Sequence, residues 1–88
     1  MRIVIHERAR KHGLADGQIR AAFESGRDGA RIRERDAHAE PSRYGLIGFD
    51  SNGAAIELVA AILADGSVLI FHANYLTNGF LNEMRQAR

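Results

Sequence analysis

Glu57 and His72 are an acid and an imidazole within one stretch of alternating apolar and polar residues, Arg43 to Ala73, and Tyr44 adds a phenol to it. A carboxylate close to an imidazole favours the imidazolium and orients the ring, an arrangement suited to moving protons at neutral pH. Arginines brought alongside would complete the set that metal-free RNA cleavage requires. That set is a base for the 2′-hydroxyl, an acid for the leaving oxygen and cations for the phosphorane. The plainer reading of the same residues is a half-buried histidine that merely hydrogen-bonds and a strand glutamate facing solvent.

Whether these side chains share a face depends on strand register. Two turn signals, Ser51-Asn52-Gly53-Ala54 and Ala64-Asp65-Gly66-Ser67, divide the stretch into three strands. Asn-Gly and Asp-Gly predict two-residue type I′ turns, hence a three-stranded antiparallel meander. That register pairs Phe49 with Ile56, Leu46 with Val59, Tyr44 with Ala61, Ile62 with Leu69, Ala60 with Phe71 and Val59 with His72. Side chains alternate with a period of two. Ile47, Phe49, Ile56, Leu58, Ile62, Leu69 and Phe71 are then expected on a core face under the helices. Tyr44, Leu46, Glu57, Val59, Ala61, Ile70 and His72 are expected on a second, mixed face, with Glu57 diagonal to His72 at a backbone spacing of roughly 7 to 8 Å.

The remaining elements must position this sheet. Arg2 to Ile5 reads as an opening strand. His6 to His12 reads as a short helix stopped by Gly13 in a left-handed conformation. A second helix comes next, with Asp16 as its cap and Ile19, Ala22 and Phe23 on its apolar face, and it ends near Gly26. Ala30 to Arg35 alternates Arg31, Arg33 and Arg35 with Ile32 and Glu34, the pattern of a basic edge strand. Asp36 to Ser42, with the only proline, Pro41, is expected to be a mobile loop and a candidate lid. Asn74 or Thr77 caps a final helix carrying Leu76, Phe80, Leu81 and Met84, whose basic end, Arg85 to Arg88, suits its dipole. The expected fold is therefore α+β. It consists of a twisted antiparallel sheet, the meander plus one or two N-terminal strands, with two N-terminal helices and one C-terminal helix in a single domain over residues 1–88.

Composition narrows the function classes. The chain has 88 residues, no Cys, 45% hydrophobic and 26% charged residues, enough for one core but not for separate cofactor and substrate domains. Without Cys there is no disulfide framework or thiolate metal site, which fits a reducing cytoplasm. The start, MRIVIHERARKHG, does not read as a signal peptide, and no apolar run approaches the roughly 20 residues of a membrane span. Net charge is +1, yet residues 1–50 hold ten Lys or Arg against eight acids. The clusters Arg8, Arg10, Lys11 and Arg31, Arg33, Arg35 suit phosphates, or simply a solvated surface. His6 and His12, about 240° apart on a regular helix, do not converge on a metal. Gly45-Leu46-Ile47-Gly48 lacks the context of a phosphate loop, and its glycines are expected to let another element lie close to the sheet.

The ordered fragments HERARKHGL (6–14), RIRERD (31–36), RYGLIGFDSNG (43–53) and ELVAAILADGSVLIFHA (57–73) resemble BrnT-like toxins of bacterial type II toxin-antitoxin pairs, compact relatives of the RelE-type ribonuclease fold. Lys11-His12-Gly13 and Arg43-x-x-x-Ile47-Gly48 carry the likeness best. The resemblance implies a cytoplasmic ribonuclease that needs no metal or cofactor, with basic and proton-transfer residues on the exposed sheet face. It also implies neutralisation by a small ribbon-helix-helix antitoxin. In that reading His72 is the acid or base, Glu57 orients it, and Arg43, Arg33 and Lys11 meet phosphate, while Tyr44 and Tyr75 stack on bases. Tyr75 and Gly79 stand where similar proteins tend to carry Lys or Arg. The competing reading is a non-catalytic interaction module, or an inactive toxin relative, whose Leu46, Val59 and Ile70 form an apolar patch for a partner or a homodimer.

Overall fold

A computed structural model describes residues 1–86. Strands β1 (Ile3–Ile5), β2 (Arg31–Ile32), β3 (Arg43–Phe49), β4 (Ala55–Ile62) and β5 (Val68–Tyr75) form one mixed sheet in the order β1-β5-β4-β3-β2. β1 runs parallel to β5 and every other neighbouring pair is antiparallel. Two α-helices accompany it, α1 (Asp16–Gly26) and α2 (Asn78–Gln86). The expected wholly antiparallel sheet with two N-terminal helices is thus corrected on two counts. A parallel pair needs a long crossover, which the chain from α1 through β4 supplies. The first expected helix is only a 3₁₀ turn, Glu7–Arg10. Its end is nonetheless as expected, since Gly13 has φ +82° and its N–H donates to the Arg10 carbonyl.

Both hairpin loops are one residue longer than a type I′ turn. Positive φ occurs at Gly53 and Gly66 but at no non-glycine residue, so Asn52 and Asp65 do not take the left-handed conformation that type I′ demands of both central residues. Instead the Gly53 N–H donates to the Asp50 carbonyl and the Gly66 N–H to the Leu63 carbonyl, closing type I turns that end in a left-handed glycine, while the Asp50 and Leu63 N–H groups donate across the loops to the Ala54 and Ser67 carbonyls. Asp50 reinforces its loop by accepting from the Asn52 and Ala54 amides. Its carboxyl is held below the ordinary range chiefly by the Gln18 side chain and then by the Ala54 amide.

The extra loop residue reverses β3. Arg43 pairs with Ala61, Gly45 with Val59 and Ile47 with Glu57, so Tyr44 and Leu46 face α1 and Arg43 faces the opposite side. β5 starts with the same slip, Val68 opposite Ile62 and Ile70 opposite Ala60. A β-bulge at Phe71 then restores the pairing of Val59 with His72. A bulge inserts one unpaired residue and re-aims the side chains beyond it. Of the residues expected in the core, Ile56 and Leu58 are buried, whereas Phe49 and Ile62 are exposed. The actual core joins them to Ile5, Ala9, Leu14, Ile19, Phe23, Leu46, Val68 and Ile70. The patch proposed for an interaction module does not exist, because Leu46, Val59 and Ile70 are all buried.

Helices cover both sheet faces. On the α1 face, a Cβ on Gly48 would overlap the Ala22 carbonyl and one on Gly26 would overlap the Ile47 carbonyl, so these two glycines let helix backbone meet strand backbone. On the other face α2 lies over Gly45, where Met84 Sδ and Phe80 Cζ would stand 3.1 and 3.3 Å from an added Cβ. The basic strand is shorter than expected. β2 ends at Ile32 and a 3₁₀ turn spans Glu34–Asp36, although β2 does lie at the sheet edge. The segment between that turn and β3 contains a cis Glu40–Pro41 bond. No described helix is long and apolar enough to cross a membrane. Of the expected basic C-terminus, residues 87–88 lie outside the described residues.

Candidate functional site

The site grows from Glu57. β4 directs its side chain to the α2 face, where it is 5% exposed, so its oxygens require partners from protein. One oxygen accepts from both the Thr77 N–H (2.8 Å) and the Thr77 hydroxyl (2.7 Å). The other lies 2.7 Å from His72 Nε2. With Nε2 engaged by the carboxylate, the other ring nitrogen of His72, Nδ1, has no hydrogen-bond partner among the described residues. Thr77 Oγ1 in turn accepts from the Phe80 N–H at 3.3 Å, capping α2 as its position predicts. Asn74, the other expected cap, lies in β5 and accepts from the Tyr75 N–H. A carboxylate at a helix N-terminus is also favoured by the helix dipole.

Around this pair lies a cleft of about 450 Å³ walled by Arg33, Arg35, Arg43, Val59, Thr77, Gly79, Phe80 and Glu83. Arg33 reaches Glu83 through two nitrogens, at 3.2 and 3.1 Å, and Arg35 joins the same carboxylate at 2.6 Å. Burial works to raise the Glu83 carboxyl, but the hydrogen bonds from Arg33 and Arg35 outweigh it and hold it below its ordinary range. Arg43 makes no ion pair with a described residue. Its guanidinium instead lies over the Phe71 ring, 4.4 Å from the centroid. His12 meets His72 edge to face, with centroids 5.5 Å apart.

The sequence-derived residues therefore divide. His72, Glu57, Arg43 and Arg33 come together, and the register slip is what turns Arg43 towards the others. Lys11 is exposed and, like its neighbour His12, does not wall the cleft, but only His12 contacts His72. Tyr44 lies across the sheet among Phe23, Leu46 and Ala60. Tyr75 pairs with Ile56, and its hydroxyl accepts from Gln18 Nε2 at 3.2 Å, so neither tyrosine can stack on a base at His72. Two participants went unforeseen. His12 reads locally as a helix end, and only the docking of the 3₁₀ turn on β5 brings it to His72. Glu83 had a signal, being the single acid of the last helix in a chain with an arginine-rich segment to neutralise.

With two proton-transfer groups in contact, one aimed by a buried carboxylate, and an uncommitted guanidinium across the cleft, the arrangement can bind an oxyanion and move a proton beside it. Among the described residues no group of three or more His, Asp or Glu could hold a metal ion. Comparisons of this chain with protein-family models, with curated proteins and with solved structures find no match.

Proposed function

We propose that this domain is a ribonuclease that needs no metal and acts in the cytoplasm as the toxin of a type II toxin-antitoxin pair. The observation that carries the reading is the Glu57–His72 hydrogen bond opening onto a cleft that Arg43 also lines. Glu57 fixes the tautomer, so His72 Nδ1 takes the proton from a ribose 2′-hydroxyl. The 2′-oxygen then bonds to phosphorus as the bond from phosphorus to the 5′-oxygen breaks, leaving a 2′,3′-cyclic phosphate and a 5′-hydroxyl. Arg43 offsets the charge that builds on the phosphorane oxygens. His12 supplies the second imidazole that returns a proton to the leaving oxygen. The positions where similar proteins carry basic residues, Tyr75 and Gly79, contribute no cation here, and Arg43 of β3 takes that part, Arg33 and Arg35 being paired with Glu83.

The toxin role and the ribbon-helix-helix antitoxin rest on the resemblance of residues 6–14, 31–36, 43–53 and 57–73 to BrnT-like proteins. Induced expression of the chain should arrest growth and fragment cellular RNA, and His72→Ala should restore growth. Undiminished arrest by His72→Ala would remove that residue from the mechanism. A neighbouring reading frame encoding a small ribbon-helix-helix protein would support the pairing with an antitoxin.

A further inference from the structure

Phe71 and His72 are consecutive, and in a regular strand one of them would face α1. The bulge avoids this. Ile70 pairs with Ala60 and is fully buried, His72 pairs with Val59, and Phe71 is the unpaired residue between them. The Phe71 ring is therefore delivered to the same side as His72, half-buried, with Arg43 Cζ lying over it. The His6 ring borders it at 5.9 Å between centroids, inclined by 36°. His6 is itself held by its Nδ1, which accepts from the Arg8 N–H at 3.0 Å. Among the described residues Arg43 has no hydrogen-bonding partner for its guanidinium, so the aromatic face is what positions it. A guanidinium offers donors along its edge and a π surface on its plane. One side chain can thus meet a phosphate and a base together.

We infer that Arg43 on Phe71, bordered by His6, is a nucleobase platform, and that the substrate is single-stranded RNA with one unpaired base stacked next to the scissile phosphate. The inference rests on the reading of the cleft as a site for RNA. A base paired in an A-form duplex cannot leave its stack to reach such a surface, whereas one from a loop or a free strand can. The platform also explains why the bulge matters. Without it, in the register set by the second hairpin, His72 would turn towards α1 and part from Phe71 and Arg43.

The test uses the full chain carrying His72→Ala, so that bound RNA stays intact. Its binding to a labelled single-stranded oligoribonucleotide is compared with its binding to a strand of equal length in which every base is replaced by an abasic ribose. The platform predicts at least about tenfold tighter binding of the base-bearing strand. Adding Phe71→Leu should remove about tenfold of that preference. Arg43→Lys, which keeps the charge but not the plane, should do the same, and it checks the result should Phe71→Leu fold poorly. Equal affinity for the two strands, or a preference unchanged in both variants, overturns the platform. If that happens while the unmutated chain still cleaves RNA, the platform alone falls. If the unmutated chain neither cleaves RNA nor binds either strand, the ribonuclease reading falls with it.

Discussion

The two faces of the sheet are closed by different physics. Towards α1, Gly48 and Gly26 bring helix and strand backbones into contact, and Ile19, Ala22 and Phe23 fill the remaining space with apolar atoms. Towards α2, Phe80 and Met84 rest on Gly45, but the helix is tied down by polar groups, Glu57 to Thr77 at its start and Arg33 and Arg35 to Glu83 further along. The first face has no tolerance because backbone cannot move aside. The second is adjustable, and the groups that anchor its helix are those that form the cleft. Stability is concentrated on one side and chemistry on the other.

Two glycines of one strand give the sharpest way to break this comparison. Gly48→Ala forces a methyl group into the Ala22 carbonyl, and a loss of about 3 kcal/mol or more is expected in urea unfolding, at or above the usual range for overpacking. An unchanged midpoint would refute the rigidity of the α1 face. Glu57→Gln keeps the shape but removes the charge from hydrogen bonds to Thr77 and His72, and should cost about 1.5–3 kcal/mol by the same measurement. Gly45→Ala meets side-chain atoms alone, Met84 Sδ, Phe80 Cζ and Arg33 Cγ, which need give by only a few tenths of an ångström, so a cost under about 1 kcal/mol is expected, in line with tolerated hydrophobic repacking.

The smallest effect concerns pH. Since the Glu83 carboxyl titrates below its ordinary value of 4.5 in the folded chain, its ionised form stabilises the fold above that value. This contribution is lost as pH falls through 4.5 towards the lower folded value. Glu83→Gln should therefore lower stability at neutral pH and make its fall between neutral and acid pH shallower. The slope should not vanish, because Asp50, held down by Gln18 and Ala54, and Asp65, held down by Ser67, titrate in the same sense. An identical acid slope in the variant would contradict the coupling of α2 to the arginines.

Much of the architecture could be read from residue pattern, because its determinants are local. The apolar face of α1, the Thr77 cap, the left-handed Gly13 and the existence of β3, β4 and β5 all follow from neighbouring residues. The register did not, because Asn-Gly and Asp-Gly are compatible with both the two-residue turn and the three-residue turn ending in glycine. That single ambiguity exchanged the faces of Tyr44, Leu46 and Arg43. The pairing of Val59 with His72 emerged correctly only because the Phe71 bulge offsets the slip of the second hairpin, and nothing in the local sequence marks a bulge there. The contacts of His12 with His72 and of Glu83 with Arg33 span sixty and fifty residues of chain, as their numbering shows, and depend on how whole elements dock. The site was legible in its strand residues and hidden wherever it drew on a distant element.

In the proposed mechanism His72, aimed by Glu57, drives attack by a ribose 2′-hydroxyl. Its most direct test is to incubate the purified chain, in the presence of a chelator, with a single-stranded oligoribonucleotide and with the same strand bearing one 2′-deoxyribose at the cleaved position. A cyclic-phosphate product is expected from the first, no cleavage at the substituted position in the second, and a loss of about 10²-fold or more in rate with His72→Ala. Cleavage of the deoxy-substituted strand at that position, or an undiminished rate with His72→Ala, would contradict it.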